Sequence, residues 1–168
     1  MELLLVGTNH ANQYVGNKYG DSAKFTEYLR SVCSTHEVDL LAEEMSIEAL
    51  EKNSAKSTAL ELARTLGIPH LFCDPNRRER TALGIPTDDE LRTSLGFRKY
   101  LLNHQIDRFE DAERSYWPLR EEEWIRRVEA CSFSICLFIV GSNHVSSFSD
   151  IVRSRGMPLQ VLHQRWMP

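Results

Sequence analysis

The stretch Ile135-Cys136-Leu137-Phe138-Ile139-Val140 is continuously apolar, and Gly141-Ser142-Asn143-His144 follows it without a gap. A short apolar run of this kind predicts a strand buried on both faces of a parallel sheet. The same arrangement occurs near the start of the chain, where the apolar run Leu3–Val6 leads into Gly7-Thr8-Asn9-His10. The sequence therefore contains two copies of a G-[ST]-N-H motif, each placing a histidine just beyond a predicted strand.

Three further apolar runs, Val38–Ala42, His70–Cys73 and Leu159–Leu162, predict three more strands. The segments between the runs carry apolar residues at spacings of three and four, which is typical of amphipathic helices. Strands that alternate with helices favour an α/β fold with a mostly parallel sheet of about five strands and helices on both faces. At 168 residues, the chain is predicted to form one domain, residues 1–168.

Residues 75–117 interrupt the alternation, because they contain no predicted strand. Thr87 and Glu90 have the spacing of a capping box, which predicts a helix that begins there and continues to about Asn103. A second polar helix is expected from Asp107. We interpret the segment as a helical insertion between the third and fourth strands, which serves either as a lid or as a plain helical excursion.

The two histidines, His10 and His144, are expected to share one site. In parallel α/β sheets, ligands bind at the carboxyl ends of the strands, where the strand order reverses. If the first and fourth strands are neighbours, both imidazoles lie at that crevice. Gly7 and Gly141 would let the backbone turn sharply out of each strand and let a ligand or cofactor approach.

Carboxylates follow the second and third runs in the same way. Glu43 and Glu44 end the second run and Asp74 ends the third. Adjacent strand residues point to opposite faces, so only one of the two glutamates is expected to face the crevice. Two imidazoles and a carboxylate with open positions suit Zn²⁺, Mn²⁺, Co²⁺ or Fe²⁺. The alternative for the glutamates is an N-cap role for the next helix.

Arg120 begins the last long helix before the fourth strand, where it is placed to steady a carboxylate or an anionic intermediate. As an isolated feature it would be a solvated surface charge. The basic run at residues 77–80 is expected to face solvent. Cys73, beside Asp74, is expected to pack in the core rather than to act as a nucleophile.

Composition narrows the class of protein. The net charge of −4 and the isoelectric point near 5.9 give no field that would recruit nucleic acid. No signal peptide is expected before Leu3, and the longest apolar run is far below the roughly 20 residues of a membrane span. The four cysteines form no C-x-x-C pair, and free thiols in apolar surroundings favour a reducing cytoplasm.

With these residues in hand, the chain resembles the TraB/Tiki-type superfamily, which includes ChaN-like and erythromycin-esterase-like folds. Gly7–His10 and Gly141–His144 are similar to its two G-x-x-H motifs. Glu44 resembles the family glutamate at the end of an early strand, and Arg120 resembles the arginine upstream of the second motif. The four landmarks occur in the family's order across nearly the whole chain.

Two positions depart from the family pattern. Glu121 stands where the family has Asp or Asn after the arginine, and Met45 follows Glu44 where Leu is usual. The resemblance implies a metal-assisted hydrolase but does not transfer a substrate.

The favoured expectation is hydrolysis of a peptide or ester bond by a divalent metal, Mn²⁺, Co²⁺ or Zn²⁺, held by His10, Glu44 and His144. The metal would lower the pKa of bound water and polarise the scissile carbonyl. Glu43 or Glu44 would serve as the general base, and Arg120 would stabilise negative charge. The alternatives are metal-free chemistry, with the histidines as general acid and base, and a non-enzymatic module that binds or signals through a small polar ligand.

Overall fold

The predicted apolar runs form one parallel sheet in the computed structural model, which describes residues 1–97 and 102–168. Its strands are β1 (Glu2–Thr8), β2 (Leu40–Glu43), β3 (His70–Phe72), β4 (Ile135–Gly141) and β5 (Leu159–His163). The helices of the described residues are α1 (His10–Gln13), α2 (Ser22–His36), α3 (Ile47–Lys52), α4 (Thr58–Leu66), α5 (Arg77–Leu83), α6 (Asp88–Ser94), α7 (Asn103–Arg114), α8 (Trp117–Glu129) and α9 (Val145–Ser154). The predicted α/β class is confirmed.

The strand order is β3-β2-β4-β1-β5, and every neighbouring pair is parallel. β1 and β4 pair along their whole length, from Glu2 opposite Ile135 to Thr8 opposite Gly141. The prediction that the first and fourth strands are neighbours is therefore confirmed. The chain leaves β1 toward β2 on one side and leaves β4 toward β5 on the other, so the two connections diverge and open a crevice at the strand ends.

Two hydrophobic cores cover the two faces of the sheet. Because strand residues alternate, Leu3 and Leu5 of β1 pack toward Trp124 of α8 and Phe148 of α9. Leu4 and Val6 face the other way, in a core with buried residues of α2 and α4. The strand ends are thus fixed from both sides.

Where the structure describes it, the segment between β3 and β4 is helical, as expected, but its helices differ in extent. The capping box of Thr87 and Glu90 is present at the start of α6. That helix ends at Ser94 rather than near Asn103, and Gly96 then has a φ of +70°, which a helix cannot continue. The remainder of the predicted helix includes residues 98–101, which lie outside the described residues. The next helix begins at Asn103, four positions earlier than expected.

None of the helices within residues 1–97 and 102–168 is both long enough and apolar enough to cross a membrane.

Candidate active site

A polar cleft of about 640 Å³ lies at the carboxyl ends of the strands. Both G-[ST]-N-H motifs contribute to its wall, together with side chains from the loops after β2 and β3 and from the helical segment before β4. The predicted site residues that line it are His10, Glu44, Asp74, Arg120, Gly141 and His144. The structure therefore brings together side chains from positions that are far apart in the sequence.

His144 is held in one orientation by a buried carboxylate. It ends a 3-10 turn directly after β4 and is only 5% exposed. Its Nδ1 lies 2.7 Å from Oε1 of Glu121, which also accepts a hydrogen bond from the Ser147 hydroxyl. The rings of Trp117 and Trp124 lie with their centroids 4.1 and 5.2 Å from that of the imidazole. When Nδ1–H donates to Glu121, the neutral ring presents the lone pair of Nε2 to the cleft.

Glu44 lies opposite that lone pair. Its Oε1 is 3.5 Å from Nε2 of His144 and accepts a hydrogen bond from Nη2 of Arg120 at 3.1 Å. Its Oε2 accepts a hydrogen bond from the backbone N–H of Gly141 at 2.8 Å. A carboxylate tied to both a guanidinium and a backbone amide cannot rotate freely, so the spacing between Glu44 and His144 is set by the fold.

Gly141 leaves the space that the other histidine uses. A Cβ at this position would lie 3.0 Å from Nε2 of His10 and 3.1 Å from Oε2 of Glu44. Both atoms therefore lie close to one point in the cleft. At Gly141 the close approach is made by side chains of the chain itself, since His10 and Glu44 fill the room that a side chain would take. Its expected role in the approach of a ligand or cofactor stays a prediction.

Gly7 has a different role from the one expected. A Cβ here would lie 2.2 Å from the backbone oxygen of Gln164 and 2.4 Å from Cγ2 of Val145. The residue thus makes room for the segment after β5. The sequence around Gly7 does not predict this contact. Gly7 is not among the described residues that line the cleft.

The carboxylate of Asp74, in the cleft wall, accepts hydrogen bonds from four N–H groups. Arg120 donates from Nε and Nη2 at 3.0 and 2.9 Å, Arg80 donates at 2.6 Å, and the Trp124 indole donates at 3.2 Å. Burial by itself raises the pKa of this carboxyl, but Arg120 and Arg80 outweigh it and hold the pKa below its ordinary value. Burial likewise opposes the charge of Arg120, whereas Asp74 and Glu44 raise its pKa. Arg120 therefore stays cationic and bridges Asp74 to Glu44.

Glu43 does not reach the cleft. It is fully buried, and its Oε1 accepts a hydrogen bond from Ser57 and lies 2.8 Å from Nε2 of His70. The expectation that only one of the two glutamates faces the crevice is met, and Glu44 is that residue. The geometry gives Glu43 no contact with the groups around His144, because adjacent strand residues point to opposite sides.

Sequence reasoning missed several residues in and around the cleft wall. Trp117 and Glu121 precede Trp124 by seven and three positions, a spacing that places all three on one face of α8 and is readable from the sequence. Glu113 also lines the cleft, and burial and nearby Asp88 raise its pKa. Tyr14 follows His10 by four positions and lines the cleft too; burial, Glu43 and Glu44 raise its pKa. No sequence motif singles out Glu113 or Tyr14.

The expected metal ligands, His10, Glu44 and His144, all line the cleft, but no three His, Cys, Asp or Glu side chains in residues 1–97 and 102–168 are arranged to hold an ion. Oε1 of Glu44 and Nε2 of His144 are 3.5 Å apart, a separation that suits neighbouring ligands with bonds of about 2.0–2.2 Å. However, the same Oε1 also accepts from Arg120, and this cation opposes another positive charge nearby. Glu44 and His144 thus form one pair of donors at ligand spacing, and the three-ligand site with His10 stays a prediction.

Comparison of the chain with models of protein families, with curated proteins and with solved structures found no match.

Proposed function

We propose that the protein is a hydrolase of ester or amide bonds in which His144 activates the attacking water as a general base. The observation that carries this proposal is the pairing of His144 Nδ1 with the buried Glu121 at 2.7 Å, which turns Nε2 toward the cleft and Glu44. A histidine oriented by a carboxylate, with its second nitrogen open to a cleft, is the arrangement used for general base catalysis.

The surrounding charges support the imidazolium that forms when Nε2 takes a proton from water. Glu121 lies on one side of the ring, and Glu44 lies 3.5 Å from the nitrogen that receives the proton. Opposite charges near a group favour its charged form, so both carboxylates stabilise this state. Arg120 and the Gly141 amide hold Glu44 in place throughout. In this proposal Arg120 also stabilises negative charge that develops on the substrate.

His10 is assigned the return of a proton to the leaving group. Its ring is exposed, and its Nε2 and Oε2 of Glu44 lie 3.0 and 3.1 Å from the position that a Cβ of residue 141 would take. Two histidines in one cleft can act in sequence, one removing a proton and the other supplying one. The substrate in this proposal is a small molecule or a peptide, because the cleft is about 640 Å³ in volume.

A metal-dependent form of the same hydrolysis is the second candidate. It is favoured by the 3.5 Å separation of Glu44 Oε1 and His144 Nε2, which would be two ligands, with His10 as the third. A bound divalent ion would supply a more acidic water and polarise the substrate carbonyl. In that case Glu121 would orient His144 as a ligand rather than as a base.

A cytoplasmic location also belongs to the proposal. It is supported by the four unpaired cysteines, which suit a reducing compartment.

The test is hydrolysis of 4-nitrophenyl esters and of a mixed peptide library by protein purified without a histidine tag. His144→Gln is expected to lower kcat by about 100- to 10,000-fold, the usual contribution of a general base. Glu121→Gln should lower kcat as well, since an amide can no longer favour the correct tautomer. His104→Gln is the matched control, because His104 is exposed and lies outside the described cleft wall.

Metal analysis of the same preparation separates the two candidates. Under the favoured proposal, activity survives dialysis against a chelator and does not respond to added Mn²⁺, Co²⁺ or Zn²⁺. Activity that disappears with the chelator and returns with one of these ions would support the second candidate. Absence of turnover with every substrate would contradict both and leave a module that binds a small ligand.

A further inference from the structure

The arginines in the described part of the cleft wall, Arg80, Arg120 and Arg165, differ in their partners. The guanidinium of Arg120 is paired with Asp74 and Glu44, and that of Arg80 is paired with Asp74. Arg165 is exposed on the cleft wall and has no carboxylate within ion-pair distance anywhere in residues 1–97 and 102–168. Among the described residues of the cleft wall, Arg80 and Arg120 are thus paired with carboxylates, whereas Arg165 is not.

Arg165 lies at the opposite edge of the sheet from Asp74, the partner of the paired arginines. It follows β5, one edge strand of the sheet, whereas Asp74 follows β3, the other edge strand. β5 is the neighbour of β1, and β1 ends beside His10. Arg165 accordingly shares the wall with Asn9 and His10, on the side away from the charge cluster around Asp74.

The backbone that carries Arg165 is fixed. The N–H of Trp166 donates to the carbonyl oxygen of Gly7 at 2.6 Å, and the Trp166 ring is packed 4.8 Å from the ring of Phe25. The backbone oxygen of Gln164 fills the space that a side chain at Gly7 would occupy. Because the backbone is anchored on both sides of Arg165, only the conformational freedom of its side chain is lost when the guanidinium binds a partner.

We infer that Arg165 is a substrate-binding residue that recognises a carboxylate or phosphate group on the substrate, on the leaving-group side of the scissile bond near His10. A planar guanidinium can bind either oxyanion through two parallel hydrogen bonds. The assignment rests on the proposed hydrolase function and narrows it to acidic substrates. It makes Arg165 a determinant of specificity that takes no part in proton transfer.

The experiment compares an ester that carries a carboxylate on its leaving group with the neutral ester of the same acid, 3-carboxy-4-nitrophenyl butyrate with 4-nitrophenyl butyrate, in the wild type and in Arg165→Gln. For the acidic ester, KM is expected to rise about tenfold with kcat nearly unchanged, the effect of one charge-assisted hydrogen bond. For the neutral ester, neither constant should change. Arg78→Gln is the matched control, since Arg78 is an exposed arginine of α5 outside the cleft.

A binding measurement keeps this inference separable from the proposed reaction. Calorimetric titration with succinate and with inorganic phosphate should show binding to the wild type and to His144→Gln, with about tenfold weaker binding to Arg165→Gln. The probe that binds more tightly indicates whether the substrate carries a carboxylate or a phosphate group. If esters are hydrolysed but Arg165→Gln alters neither KM nor probe binding, the inference is wrong and the hydrolase stands. If no ester is hydrolysed yet the probes bind through Arg165, the reaction is wrong and the anion site stands.

Discussion

Replacing Asp74 with asparagine keeps the size of the side chain but removes the charge shared by four N–H groups of Arg80, Arg120 and Trp124. Asp74 is 8% exposed, so in a site that water reaches poorly Arg80 would lose its carboxylate partner and Arg120 would keep only Glu44. Breaking a buried pair by removing one charge costs about 3–5 kcal/mol. For a chain of 168 residues this corresponds to a fall in Tm of roughly 6–20 °C.

Urea unfolding at pH 7 measures this loss, and Asp150→Asn provides the matched control. Asp150 pairs with Arg153 at 3.5 Å, and its side chain is 77% exposed, so its loss should cost less than about 1 kcal/mol. An Asp74→Asn variant within about 1 kcal/mol of the wild type would show that the carboxylate does not stabilise the fold through these contacts.

The same variant has a pH signature. The folded-state pKa of Asp74 is lowered, because Arg120 and Arg80 outweigh the effect of burial. Its contribution to stability is therefore fully present above the unfolded value of about 3.9 and is lost as the pH falls below that value. The wild type loses this contribution in acid and Asp74→Asn has none to lose, so the gap between the two should narrow from pH 5 to pH 3.5. A gap that stays constant would refute the assignment.

Three further predictions concern packing and reactivity. Gly7→Ala should destabilise the protein by about 1–3 kcal/mol in urea unfolding, because the new Cβ would lie 2.2 Å from the backbone oxygen of Gln164; an unchanged midpoint would show that the segment after β5 moves aside easily. Phe138→Ala should lower the free energy of unfolding by about 3–5 kcal/mol, since removal of the fully buried ring would leave a cavity between the sheet and its helices. A decrease below about 1 kcal/mol would contradict that packing. In the native state, Cys131 should react first with a thiol reagent because it is only partly buried, whereas burial raises the pKa of Cys33 to about 11; equal labelling rates would disagree with the fold.

Local patterns were enough to predict the sheet and the meeting of the two motifs. The apolar runs of β1 and β4 predicted buried strands, and the histidines directly after them predicted where the cleft lies. The register of β2 separated Glu43 from Glu44, because successive strand residues face opposite ways. These predictions succeeded because each rests on residues that lie within a few positions of one another in the sequence.

The missed features depend on contacts between distant parts of the chain. The role of Gly7 comes from a segment more than 150 positions later, and no pattern beside the glycine reveals it. The partner of His144 is Glu121, which the sequence presented only as a departure from a motif. The pairing of Glu43 with His70 requires that β2 and β3 be neighbours in register, which is known only after the sheet is assembled.

The pairing of β1 with β4 has a consequence for how the protein is made. Glu2 pairs with Ile135, so β1 must wait for about 130 further residues before its central partner exists. At the usual synthesis rate of about 5–20 residues per second, this delay is roughly 7–25 seconds. During that time the apolar segment Leu3–Val6 has neither β4 nor β5 beside it. Contacts of such long sequence separation also slow folding. The apolar segment Leu3–Val6 is therefore without its sheet partners for longer than a strand that pairs with its neighbour in the sequence.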